Sequence, residues 1–217
     1  MAKVISSPNR LSMVDAESLS KSLLQLMQEN YAVIAGGIAG VVLLLLGFLY
    51  WGHQKQLGLD ELRTGISALQ NGDPNKAVAH LLDIRRSYLG SAERSLGLFY
   101  LGEAYATQGQ KANALNAYEG ALSASKENKE GDLYLQQVIL LKLGQKAEQD
   151  GDLTQARQRY EQAGAVEGPL KTEALASAAR TAEKSSDHSA AVAYYEKLLT
   201  QSPDSPLAEV FQKKAGK

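Results

Sequence analysis

The chain has 217 residues, room for one or two ordinary domains, and a formal net charge of −1. That balance excludes the basic field through which proteins attract nucleic acid, so no nucleic-acid partner is expected. The absence of cysteine excludes disulfides, thiolate metal sites and cysteine nucleophiles together.

The first element is a short N-terminal tail, residues 1–29. Leu19, Leu23, Leu26 and Met27 fall at helical spacing after Asp15, a helix-capping residue. They predict a short amphipathic helix that lies on a bilayer surface or docks a partner.

Residues 30–52 follow, from Asn30 to Gly52, a run of 23 without one formal charge. A helix rises about 1.5 Å per residue, so roughly 20 residues cross the hydrocarbon core of a bilayer. Tyr31 stands at one edge and Tyr50 and Trp51 at the other, the depth amphipathic rings prefer. A transmembrane helix is the expectation. A cleaved signal sequence would need small residues at its exit, whereas this one leaves through Phe48-Leu49-Tyr50-Trp51. Ala32, Gly36 and Gly40 recur every four residues and give the span one small face, a candidate helix–helix contact. Lys3, Arg10 and Lys21 before the span nearly balance Lys55 and Arg63 after it. The comparison tips slightly towards a cytoplasmic N-terminus and a translocated C-terminal part.

From residue 53 onward the chain compares with itself. Leu98, Leu101, Gly102 and Tyr105 precede Gly109, then Ala114, Tyr118 and Ala121. The same offsets return as Leu140, Leu143, Gly144, Ala147, Gly151, Ala156, Tyr160 and Ala163. Weaker blocks contain Gly65, Gly72, Ala77 and Leu81 on one side, and Ala179, Ser186, Ala191 and Tyr195 on the other. Gly72, Gly109, Gly151 and Ser186 are 37, 42 and 35 residues apart, so the period is uneven. Small residues in a first helix (Gly65, Gly102, Gly144, Ala179) would admit a large one from a second (Leu81, Tyr118, Tyr160, Tyr195). Glycine at the turn supplies left-handed backbone angles.

These residues resemble the tetratricopeptide repeat (TPR) family, whose units are helix–turn–helix pairs of this alternation. The resemblance covers about residues 57–211. It implies an all-α fold: one N-terminal transmembrane helix followed by a right-handed α-solenoid of about four helix pairs. The units are placed at about 58–91, 95–128, 137–170 and 172–205. Residues 126–132 form a solvated insertion, and residues 207–214 a helix that caps the last unit. In such proteins the first helix of each pair lines a concave binding face. The exposed first-helix positions, Phe99, Glu103, Gln145, Glu148, Arg180 and Lys184, are therefore the candidate protein-binding residues. Cytosolic chaperone-tail receptors of the family carry a basic clamp, but the corresponding places here hold Leu62, Ile66, Phe99 and Glu103.

No catalytic, cofactor or metal constellation emerges. His53, His80 and His188 are far apart and lack acidic companions at ligand spacing. A binding protein is expected, not an enzyme. The layout of short tail, Glu29-Asn30 entry, small-residue span, Tyr50-Trp51 exit and repeats resembles the YfgM-like family of bacterial inner-membrane proteins. That resemblance implies a single-pass inner-membrane protein with periplasmic repeats, a partner of the export translocon and of a membrane-bound chaperone. The alternative is a cytoplasm-facing anchored receptor or assembly factor. An anchored accessory subunit of an enzyme is a third possibility.

Overall fold

The computed structural model describes residues 21, 31–86, 89–127, 132–201, 203 and 205–216. The amphipathic helix expected before the span, with Asn30, lies outside these residues, as do positions 128–131 of the expected insertion. Among the described residues the structure is all helical, with no strand. The chain divides into two compact units, Met1–His53 and Gln54–Lys217.

Helix α1, Tyr31–Gln70, contributes to both units. Its apolar part is long enough to cross a membrane, and none of its most apolar window is buried within the chain. Val33 and Leu44 are 75% and 76% exposed, values a soluble core helix would not show. At Gly36 and Gly40 an added Cβ would meet nothing within 4 Å, so the small face of the span is open.

In the second unit, α1 is followed by α2 (Pro74–Leu81) and a 3₁₀ turn (Leu82–Arg86). Then come α3 (Ser91–Thr107), α4 (Lys111–Glu127), α5 (Leu133–Gln149) and α6 (Leu153–Ala165). The unit ends with α7 (Lys171–Lys184), α8 (His188–Gln201) and the short α9 (Ala208–Lys214). From α2 onward each helix packs chiefly on its chain neighbours, as in a stack of antiparallel pairs.

The alternation of small and large residues is what sets the spacing within a pair. A Cβ at Gly65 would stand 2.5 Å from Leu81 Cγ, and one at Gly102 would stand 2.5 Å from Tyr118 Cε1. At Gly144 the same distance, 2.5 Å, separates it from Tyr160 Cε1. Three pairs thus solve the close approach identically, with glycine under a side chain 16 residues later. The facing alanines Ala77, Ala114, Ala156 and Ala191 are all buried.

The four turns also share one hydrogen-bonding scheme. The amides of Asp73, Gln110, Asp152 and Asp187 each donate to the carbonyl five residues earlier, all at 2.9 Å. This bond requires a left-handed residue just before the donor. Gly72, Gly109 and Gly151 occupy that position with φ of 78°, 74° and 83°, and Ser186 does so at 59°. Asp73, Asp152 and Asp187 then cap the second helix, accepting from the amides of Lys76, Gln155 and Ala190. Ser186 is the one strained position of the four. Ser186→Gly is expected to stabilise the array by about 0.5–1 kcal/mol. Thermal unfolding of the detergent-solubilised chain, followed by circular dichroism, should show a midpoint higher by about 2 °C.

Two large apolar clusters fill the stack, beside a small one of Ala68, Ala77 and Ala104. One centres on Leu81, Ile84, Leu98, Tyr118, Ile139 and Leu143; the other on Tyr160, Tyr195, Leu198 and Phe211. Phe211 of α9 stacks on Tyr195 with ring centroids 6.0 Å apart, so α9 covers the apolar side of the last pair.

Candidate functional site

The first helices of the third and fourth pairs, α5 and α7, flank a groove of about 850 Å³. One end is apolar: Tyr134, Val138 and Leu141 of α5 line it with Ala176 of α7 and Leu170 just before that helix. Tyr134 is more than half exposed there. The other end is charged, lined by Gln145 and Glu148 of α5 and by Arg180 and Lys184 of α7. Helical spacing explains the grading. Residues 134, 138, 141, 145 and 148 recur at three- and four-residue steps, forming one stripe along α5.

Glu148 organises the charged end. Its carboxylate accepts the Tyr160 hydroxyl at 2.9 Å and lies 3.5 Å from an Arg180 nitrogen. The Lys184 ammonium donates to its second oxygen. The Glu148 side chain is only 14% exposed, while those of Arg180 and Lys184 are half exposed. Burial alone would raise the Glu148 pKa. The Lys184 and Tyr160 hydrogen bonds, with the charges of Arg180 and Lys184, outweigh it and hold the carboxyl below its ordinary value. Tyr160 is shifted the opposite way: burial, then its bond to Glu148, raises its pKa.

The same arrangement recurs along the stack. Glu103 accepts the Tyr118 hydroxyl at 2.6 Å and the Lys142 ammonium at 3.2 Å. Glu183 accepts from Lys214 at 2.6 Å and neighbours Tyr195, whose pKa is raised by burial and then by Glu183. Each of these three acids therefore links a tyrosine of its own pair to a cation two elements further on. Glu103 meets Lys142 of α5, Glu148 meets Lys184 of α7, and Glu183 meets Lys214 of α9.

The depressed Glu148 pKa has a pH consequence. A carboxylate held below its unfolded value stabilises the fold above that value, about 4.3, and stops doing so as pH falls through the folded value. Between pH 6 and pH 3 the wild-type midpoint should fall further than that of Glu148→Gln. Parallel acid limbs in thermal melts of the two chains would refute this assignment.

Of the six positions named from sequence, Gln145, Glu148, Arg180 and Lys184 are brought together in the groove. Phe99 and Glu103 are elsewhere. Phe99 is half-buried and packs edge-on against Tyr100 and tilted against Tyr118, while Glu103 is engaged by Tyr118 and Lys142. Tyr134, Val138, Leu141 and Lys142 are groove residues that the repeat comparison passes over. Lys142 lies two residues before Gly144 and Lys184 five after Ala179, so no constant offset marks the cations.

Stacked antiparallel helix pairs with a graded groove define an α-solenoid of the kind that receives extended or helical polypeptide. The sequence signature of the tetratricopeptide repeat matches residues 62–129 and 141–206, and the chain belongs to that family. No curated protein sequence matches it. Among solved structures, the nearly identical TPR-like repeats of a Podosopora anserina kinesin light chain are 17% identical, with a TM-score of 0.53. That match covers 72% of this chain and 82% of the other. MamA is similar at 22% identity and a TM-score of 0.53, over 74% of this chain and 81% of its own. A chain of the APC/C hetero-tetramer Cut9–Hcn1 matches at 18% identity and a TM-score of 0.52, over 74% and 30%. At these identities the likenesses describe the fold.

Proposed function

We propose that the chain is a membrane-anchored interaction scaffold. Residues 30–52 span the bilayer, and the repeats, residues 53–217, receive protein partners in the α5–α7 groove. The groove is the observation that carries this reading: about 850 Å³, open, apolar at one end and charged at the other, on the helices TPR proteins use for binding. The exposed apolar surface of α1 from Val41 to Trp51 supports the anchor, because in water such a surface would demand burial. Ala32, Gly36 and Gly40 would let a second membrane helix approach closely.

The likeness to YfgM-like proteins in layout supports an inner-membrane location with periplasmic repeats. It also supports service to the export translocon and a membrane-bound chaperone. A photocrosslinking residue at Leu141, in the groove, should give a discrete protein adduct in cells; one at Leu115, exposed on α4, should not. Adducts of equal yield at both positions would sink the groove as the partner site. A C-terminal reporter active only in the cytosol would sink the periplasmic orientation and favour the anchored cytoplasmic receptor.

A further inference from the structure

The charged end of the groove holds two half-exposed cations and one nearly buried carboxylate. Arg180 and Lys184 share Glu148, so the cluster carries one positive charge in excess. Glu173, the other acid of the groove, stands in the first turn of α7, nearly two turns (about 10 Å) from Arg180. Every other cation of the ladder has an acid to itself: Lys142 has Glu103 and Lys214 has Glu183.

From the charge left over beside Glu148, we infer that the groove selects an extended peptide carrying an apolar side chain and, about five residues away, a carboxylate. Glu148 is the built-in competitor for that carboxylate. This rests on the reading of the groove as the partner site. The register comes from the helix. Val138 and Glu148 are ten residues apart on α5, about 15 Å at 1.5 Å per residue. An extended chain advances about 3.3 Å per residue, so the two ligand groups stand about five positions apart. The apolar group sits among Val138, Leu141 and Ala176, and the carboxylate reaches Arg180 and Lys184 from the solvent side, opposite Glu148. Arg180, held at 3.5 Å, is the cation less committed to Glu148 and the first that a ligand draws away.

The probes are fluorescent peptides, acetylated and amidated, in which one leucine and one glutamate are separated by zero to eight Ser/Ala residues. Binding is read by anisotropy against the full chain in detergent micelles. Affinity should peak near four intervening residues, and changing the peptide glutamate to glutamine should weaken it about tenfold. Glu148→Gln keeps an acceptor for the Tyr160 hydroxyl while removing the competing charge. It should tighten the glutamate peptide severalfold and leave the glutamine peptide unchanged. Arg180→Ala with Lys184→Ala should erase the difference between the two peptides, with thermal melts showing that each variant is folded. Affinity independent of spacing and charge, no binding by any peptide, or weaker binding by folded Glu148→Gln overturns the inference. If any of these occurs while the Leu141 crosslink persists, the groove remains the partner site and only the ligand chemistry falls. Loss of that crosslink removes both.

Discussion

Gly144→Val is expected to unfold the third helix pair and to cost the repeat unit more than about 3 kcal/mol. A Cβ there would stand 2.5 Å from Tyr160 Cε1 and 2.7 Å from Cδ1, and the ring has nowhere to go. Tyr160 is 2% exposed and its hydroxyl is held by Glu148. Moving the ring would break that bond and open the second apolar cluster. Alanine tests the same contact more gently. It gains about 1 kcal/mol of helix propensity over glycine, yet overpacking of this kind costs about 1–3 kcal/mol. Gly144→Ala should therefore be neutral to mildly destabilising, and valine, with a second branch against Tyr160, severe. Gly47→Ala, where the added carbon meets nothing within 4 Å, is the control. Midpoints from circular dichroism of the solubilised chains decide the matter. A Gly144→Val midpoint within 2 °C of wild type would mean that the helices separate without cost.

The second large effect is expected at Gln137, whose side chain is fully buried. Its Nε2 donates to the carbonyls of Ala163 and Val166, at 3.2 and 2.9 Å, and its Oε1 accepts the Leu170 amide at 2.9 Å. One side chain thus satisfies both ends of the α6–α7 connection. Gly168 makes room for it, since a Cβ at that position would fall 2.4 Å from Oε1. Gln137→Leu keeps the volume and removes all three bonds, leaving the Leu170 N–H with no acceptor. A loss of about 3 kcal/mol follows, because three hydrogen bonds of about 1 kcal/mol each go and the part-buried Leu170 donor is left without its acceptor. Amide hydrogen exchange at Leu170 should accelerate, and the unfolding midpoint should drop by about 6–12 °C. Ser95, seven residues before Gly102 as Gln137 is before Gly144, makes a single bond of this kind, to Ala121 at 2.9 Å. Unchanged exchange at Leu170 would show that the connection holds itself.

These two residues show what sequence can and cannot disclose. Gly144 and Tyr160 are legible because their contact lies within one helix pair. Sixteen residues of helix and turn fix which side chains face each other, and the same offset appears at Gly65 and Gly102. The turn glycines are legible for a similar local reason. Gln137 is not, since its partners lie 26 to 33 residues on, in a connection whose length differs from pair to pair. The groove divides in the same way. Gln145, Glu148, Arg180 and Lys184 follow from exposure on a first helix. Whether an exposed residue faces a partner or a neighbour depends on the packing between pairs. Phe99 illustrates this: the spacing leaves it exposed on the concave face, yet it settles against Tyr100 and Tyr118. The uneven period hides the ion-pair ladder, because acids and cations keep no common register.

In that ladder the acid always precedes its cation, by 39, 36 and 31 residues in the three rungs. A chain emerging from its N-terminus therefore presents Glu103 well before Lys142, and Glu148 before Lys184. Cations of the second helices wait in the same way, Lys111 for Asp150 and Arg157 for Asp187, so the α3–α4 and α5–α6 pairs carry unanswered charges of both signs until the next has been delivered. Each of these pairs is finished by its successor, and a pause between pairs leaves a half-closed edge whose charges of both signs are still unmatched.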